Sequence, residues 1–127
     1  MTIAPCNVGV VGLGGIGLSA VLGALVVADR LEGVASALAR PRLILLLVPA
    51  GGPVDDVLTA LRPLLETGDV IVDAGNSHFA DTERRVADAA DQPWHFVGMG
   101  VSGGAEGALH GPSLMPGGDP GAFKEIE

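Results

Sequence analysis

Gly12, Gly14 and Gly17 of GLGGIG fit the spacing G-x-G-x-x-G. Between a strand and a helix, that spacing suits a dinucleotide. The first glycine makes the tight turn, the second lets the backbone approach a pyrophosphate, and the third allows the helix to pack on the strand, with the phosphates at the helix N-terminus. A glycine-rich turn without a ligand is the competing reading. Farther on, AGNS places Asn76 and Ser77 just past an apolar run. A carboxamide there can donate and accept, which suits a hydroxyl or another carboxamide. An Asn-Ser turn that only caps the next helix fits equally well. His78 has no carboxylate at a fixed spacing and reads as a surface loop residue. The third stretch is GVSGGAEGALHGPSLMPGG, residues 100–118, in which seven of 19 positions are glycine. Along most of it there is no helical or strand period, so it reads as a loop. Backbone without side chains permits close approach to a polar ligand.

These stretches need a scaffold that brings them together. Asn7 to Val11 reads as a short buried strand, and residues 16–25 as a helix after the glycine turn. A second short helix spans residues 31–39, stopped by Pro41. RLILLLV, residues 42–48, is a strongly apolar strand closed by PAGGP. In residues 54–65, Val54, Val57, Leu58, Leu61, Leu64 and Leu65 fall on one helical stripe, with Pro63 in conflict near its end. Val70 to Asp73 is the next strand. Residues 81–90 form a charged helix capped by Asp81 or Thr82. His95 to Val97 is another short strand, and Asp119-Pro120 opens a last helix. Alternating strands and helices imply βαβ units, a parallel sheet and right-handed crossovers. Ligands of such sheets bind beyond the carboxyl ends of the strands. GLGGIG, PAGG, AGNS and GVSGG each follow a strand.

The 127 residues make one domain by length, with a core built from Val, Leu, Ile and Ala rather than aromatics. A net charge of −8 argues against a nucleic-acid partner, which needs a basic face. Cys6 is the one cysteine, consistent with a buried thiol in a reducing, cytoplasmic compartment. The uncharged run from Val8 to Ala28 is long enough to span a bilayer, but its density of glycine favours a strand and turn over a membrane helix.

Taken together, GLGGIG, PRLILLLVPAGGPVDDVL, LLETGDVIVDAGNSHFADTERR and FVGMGVSGGAEGALHGPSLMPGG resemble the N-terminal coenzyme domain of the 6-phosphogluconate dehydrogenase family. The related 3-hydroxyisobutyrate-type dehydrogenases share the glycine turn and V-S-G-G, while GPSLMPGG and AGNSHFADT fit the phosphogluconate branch better. A non-catalytic nucleotide-binding module is a further alternative. The resemblance implies a Rossmann-like, doubly wound α/β fold, mainly parallel, with helices on both faces. It implies oxidative decarboxylation of 6-phosphogluconate to ribulose 5-phosphate with NADP, or NAD in some members, in homo-oligomeric enzymes of the pentose phosphate pathway. By position, Gly12, Leu13, Gly14, Gly15, Ile16 and Gly17 would bind the cofactor's pyrophosphate. Val48, Pro49 and Ala50 would line the cofactor, and Asn76 would sit between nicotinamide and substrate. Ser102, Gly103 and Gly104 would hold the substrate through a hydroxyl and backbone N–H groups.

The sequence departs from the family in two places. Only about 25 residues separate the glycine turn from RLILLLV, where the family has a strand, a helix and another strand. Part of the first nucleotide-binding half is therefore expected to be missing, or VVADR (residues 26–30) to serve as the second strand. There Asp29 and Arg30 stand at the right distance to read a ribose or its 2′-phosphate, although Asp29 could instead cap the helix after it. The family's catalytic Lys and Glu lie beyond Glu127, as does its helical, dimer-forming domain. No catalytic residue is assigned within residues 1–127, and the chain alone is expected not to turn over. Glu106 and His110 are expected to be exposed rather than catalytic.

Overall fold

The apolar runs of this chain are short and end in glycine, proline or asparagine, so they form brief strands that turn sharply at their ends. The computed structural model describes residues 7–12 and 30–126. Strand β1 is Val8–Val11, followed among the described residues by helix α1, Leu31–Ala37, and strand β2, Leu43–Leu46. Helix α2, Gly52–Leu61, leads to β3, Val70–Asp73, and α3, Phe79–Ala89, leads to β4, His95–Ser102. Helix α4, Gly104–His110, strand β5, Ser113–Gly118, and helix α5, Pro120–Ile126, complete the order.

The five strands form one sheet in sequence order. β1 to β4 are parallel and in step, Val8 beside Leu43, Leu43 beside Val70 and Val70 beside His95. β5 is antiparallel to β4, with Ser102 beside Ser113 and Val97 beside Gly118. Alternate side chains of the parallel strands enter two cores, as the two-residue period requires. Ile44, Leu46, Ile71 and Phe96 pack with Val54, Leu58 and Leu61 of α2 and Ala89 of α3. Val70, Val72 and Val97 pack with Ala122 and Phe123 of α5. Helices thus cover both faces, as a doubly wound sheet demands, and β3 is buried along its whole length.

The amino edge is locked by a buried ion pair. Arg42 donates from its backbone N–H to Asp69 Oδ1 and from Nη1 to Asp69 Oδ2, both at 2.8 Å. Nη1 also reaches the Leu64 carbonyl at 2.8 Å, while Asp69 Oδ2 accepts from the Glu66 N–H at 2.9 Å. The starts of β2 and β3 are therefore tied together by side chains as well as by the ladder.

Several local expectations change. The helix read over residues 54–65 ends at Leu61, and a 3₁₀ turn, Arg62–Leu64, takes over. Pro63 sits within that turn, where its ring removes no α-helical hydrogen bond. Helix α3 begins two residues earlier than expected, and its N-cap is His78, whose Nδ1 accepts from the Ala80 N–H at 3.3 Å. His78 is thus a cap rather than a plain loop residue. β4 does not stop at Val97 but runs on to Ser102, and residues 100–118 are a strand end, a helix and a strand rather than a loop. The glycine turn's Leu13, Gly14, Gly15, Ile16 and Gly17, the helix at 16–25, and residues 26–29 lie outside the described residues, and with them the question of the missing half. Arg30 has extended backbone in the N-cap position of α1. Among the described residues no helix is long and apolar enough to cross a membrane, and Val8–Val11, the start of the long uncharged run, is a strand of the sheet.

Candidate functional site at the carboxyl edge of the sheet

Because β1 to β4 are parallel and in register, the carboxyl ends of β1, β2 and β3 open side by side, and β4 runs past them to Ser102. Gly12 leaves β1 with φ +96°, a left-handed conformation that penalises any side chain. Its backbone lies so close to the next strand exit that a Cβ would meet the Leu47 carbonyl oxygen and Val48 Cγ1, each at 2.7 Å. Val48, Pro49 and Ala50 follow β2 directly, and Gly51 caps α2. Gly75, after β3, packs against the Val48 carbonyl oxygen with no room for a side chain. Leu47 donates its N–H to Val11 O at 2.8 Å, and Ala74 donates to Leu46 O at 2.9 Å. The first three exits are therefore in van der Waals contact, with Val48 in the middle.

Asn76 connects this row to the fourth exit. It has φ +57°, a conformation that Asn tolerates better than most residues. Its Oδ1 accepts from the Val101 N–H at 2.8 Å and its Nδ2 donates to the Val101 carbonyl at 3.1 Å. The carboxamide retains one N–H and one lone pair for anything else. Val101 immediately precedes Ser102, which is exposed at the end of β4. Gly103 follows with φ +132° as the N-cap of α4, and Gly104 opens that helix with φ +54°. Glu106 and His110 of α4 are exposed, with Oε2 and Nε2 3.5 Å apart.

Three residues missing from the sequence reading hold the turns from beneath. Asp73, the fully buried last residue of β3, accepts from the Gly75 N–H at 3.0 Å and from Ser77 Oγ at 2.5 Å. Arg85 of α3, 2% exposed, donates from Nη1 to Asp73 Oδ2 at 3.3 Å and Ser77 Oγ at 3.2 Å. Its Nη2 reaches the Gly51 carbonyl and Asp55 Oδ2, both at 3.1 Å, and its Nε reaches Asp55 Oδ1 at 2.9 Å. The five N–H groups of a guanidinium meet five acceptors. The Arg85 hydrogen bonds hold the Asp55 carboxyl below its ordinary value, and Asp55 in turn raises Arg85. One signal was available in the sequence: Thr82, Arg85, Val86 and Ala89 share one helical stripe, so an arginine falls on the inward face of α3.

A cleft of about 720 Å³ opens between α3 and the β4–β5 ribbon. Asn76 and Ser77 line it along with Phe79, Val86 and Met115, whereas Ser102, Gly103 and Gly104 do not. Among the described residues, no group of three or more His, Cys, Asp or Glu side chains is placed to hold a metal ion. The site as built can bracket an extended polar ligand along four strand ends.

Comparison with known proteins gives this edge a context. The family described as the NAD binding domain of 6-phosphogluconate dehydrogenase matches residues 19–127. A decarboxylating 6-phosphogluconate dehydrogenase of Synechocystis is 64% identical over 90 residues, 71% of this chain and 19% of that protein. An NAD(+)-dependent decarboxylating 6-phosphogluconate dehydrogenase of Bacillus subtilis is 52% identical over 96 residues, 76% of this chain and 20% of that protein. Among solved structures, Plasmodium falciparum 6-phosphogluconate dehydrogenase, studied in its apo form and in complexes with NADP+ and with 6-phosphogluconate, superposes with a TM-score of 0.83 at 30% identity. That match covers 95% of this chain and 32% of that one. The chain spans about a fifth of the length of the curated relatives it matches. With most of its length matched by that family and its sheet superposing on that fold, the chain belongs to the family of 6-phosphogluconate dehydrogenase NAD-binding domains.

Proposed function

We propose that residues 1–127 form a single coenzyme- and substrate-binding domain of an NADP-dependent, decarboxylating 6-phosphogluconate dehydrogenase. The observation that carries this reading is the lateral bracing of the four strand exits, Gly12 on Val48, Val48 on Gly75, and Asn76 on Val101. It brings Gly12, the segment after β2 and the Asn76 carboxamide into one row. In this reading Gly12 to Gly17 take the pyrophosphate, and Val48, Pro49 and Ala50 lie along the cofactor. Asn76 stands between nicotinamide and substrate, and Ser102, Gly103 and Gly104 hold 6-phosphogluconate. The residues fit such a group: the turn at Gly12 has the left-handed backbone that a close pyrophosphate turn uses, and Asn76 keeps one free donor. When bound, NADP supplies the hydride acceptor, while this chain orients the sugar acid's hydroxyl toward it.

NADP is favoured over NAD by the Plasmodium relative's complex, while the Bacillus relative supports NAD as the second choice. A cytoplasmic enzyme with small-molecule partners, homo-oligomeric like its family, suits the net charge of −8 and the single cysteine. Calorimetric titration of the purified chain with NADP+, NAD+ and 6-phosphogluconate tests the proposal. Saturable NADP+ binding that raises the unfolding temperature is expected, because a ligand of the folded state must stabilise it. No heat and no shift with either cofactor would sink the reading.

A further inference from the structure

Arg85 touches two of the turns described above and lies on neither. Through Nη2 it holds the Gly51 carbonyl in the β2–α2 turn, two residues from Pro49. Through Nη1 it holds Asp73 and Ser77 on either side of Asn76. Asp55 fixes the guanidinium plane by pairing with Nε and Nη2. The planar fork supplies five donors in fixed directions, which a lysine with three rotatable donors cannot match. Removing it would leave the fully buried Asp73 carboxylate without its counter-ion.

We propose that Arg85 is a positioning residue that sets the separation of the β2–α2 and β3–α3 turns, and with it the placement of Val48 to Ala50 against Asn76. The proposal rests on the reading of those turns as the cofactor and substrate contacts. Its geometric core, that one guanidinium couples the two turns, does not need a ligand. Asp55 makes the coupling testable from a distance. Its carboxylate is part-exposed on α2, and among the described residues its side chain bonds only Arg84 and Arg85.

The experiment is residue-resolved amide hydrogen exchange on the ligand-free 127-residue chain, followed by NADP+ titration of the same samples. The variants are Asp55→Asn, at a surface position, and Arg85→Lys, which keeps the charge and loses the fork. Coupling predicts that Asp55→Asn speeds exchange of the Gly75 and Val101 amides about ten-fold while the Ile71 and Val72 amides hold. Arg85→Lys should do the same more strongly and also loosen the Val54 amide, which bonds Gly51 O. NADP+ affinity should fall by a similar factor in both. Equal acceleration at every amide would mean a general loss of stability and would overturn the proposal, as would unchanged turns. An Arg85→Lys chain that fails to fold leaves the Asp55→Asn exchange pattern to decide. A wild-type chain that binds no NADP+ defeats the functional reading, while the exchange pattern still decides the coupling.

Discussion

Asn76 grips the backbone of Val101 from both sides, its carboxamide oxygen accepting the Val101 N–H at 2.8 Å and its amide nitrogen donating to the Val101 carbonyl at 3.1 Å. The parallel ladder between β3 and β4 pairs residues only as far as Asp73 and Gly98. The side chain therefore extends strand pairing past the point where backbone pairing ends, and fixes where Ser102 emerges.

Replacing Asn76 tests this brace. Asn76→Ala removes both hydrogen bonds and leaves an alanine at φ +57°. A loss of about 2 kcal/mol is expected from the bonds and the left-handed backbone together. Asn76→Gly should cost less, since it relieves the backbone while losing the same bonds. Urea unfolding followed by the fluorescence of Trp94, the one tryptophan, would rank them. Equal stability of all three proteins would show that the brace contributes nothing.

Gly12→Ala should be harmful for two separable reasons. Its φ of +96° disfavours a side chain, and the new methyl would overlap the Leu47 carbonyl and Val48. A stability loss on the order of 2 kcal/mol is expected, together with weaker NADP+ binding. A variant as stable as the parent would mean that the first two exits can separate freely.

At the opposite edge, Asp69→Ala takes from the Arg42 guanidinium, 3% exposed, its buried carboxylate and leaves it the part-exposed Glu66, whose Oε1 lies 3.4 Å from Nη2. Breaking a buried pair by removing one partner costs about 3–5 kcal/mol. The variant should unfold at far lower urea, and failure to fold would also agree. A midpoint shift within error would contradict the role given to this pair.

Acid should weaken the fold through Asp55 and Asp119. The Arg85 hydrogen bonds hold Asp55 below the ordinary 3.8. Asp119 is held low mainly by the Gly121 N–H, and also by His95. A depressed carboxylate contributes stability that is fully present above the unfolded value and is lost as pH falls through the folded one. The decline attributable to these groups should therefore lie below about pH 4. Asp119→Asn keeps a capping acceptor and should show a shallower acid decline in unfolding free energy. An unchanged slope would remove Asp119 from the account.

Turnover offers a last check. The only lysine, Lys124, belongs to α5, whose first turn joins Asp119 beside His95 at the amino edge of the sheet. His78 is engaged in capping α3. The 127-residue chain is expected to bind cofactor and to form no measurable NADPH from 6-phosphogluconate. Steady growth of NADPH absorbance would show that the chain supplies a base of its own.

Much of this was legible in the sequence, and the parts that were not share a cause. Short apolar runs closed by turn residues located β1, β2 and β3 and the exits after them. The sequence pattern ends β4 at Val97 and makes residues 100–118 a loop, because Gly98 and Gly100 break the apolar run. In the sheet, Gly98 lies against Thr82 of α3 and Gly100 against Met115 of β5, neighbours that no local period reveals. A buried Arg85 makes sense only beside acceptors contributed by other segments, Gly51, Asp55, Asp73 and Ser77, which a helical stripe alone does not reveal. The cap at His78 escaped because Asp81 and Thr82 are the commoner capping types. Local chemistry marked the turns, and long-range pairing decided what held them.

The contact of Gly12 and Gly75 with Val48 has a metric consequence. Neighbouring strands stand about 4.8 Å apart, so β1 and β4, three ladder steps apart, are separated sideways by about 14 Å. Because the first three exits touch at their backbones and the Asn76 carboxamide clips the third to the fourth, that spacing cannot be adjusted by changing a loop. The sheet acts as a ruler: a ligand pair laid across it meets its contacts at a pitch set by backbone hydrogen bonding, and selection can alter what each mark presents but not the distance between marks.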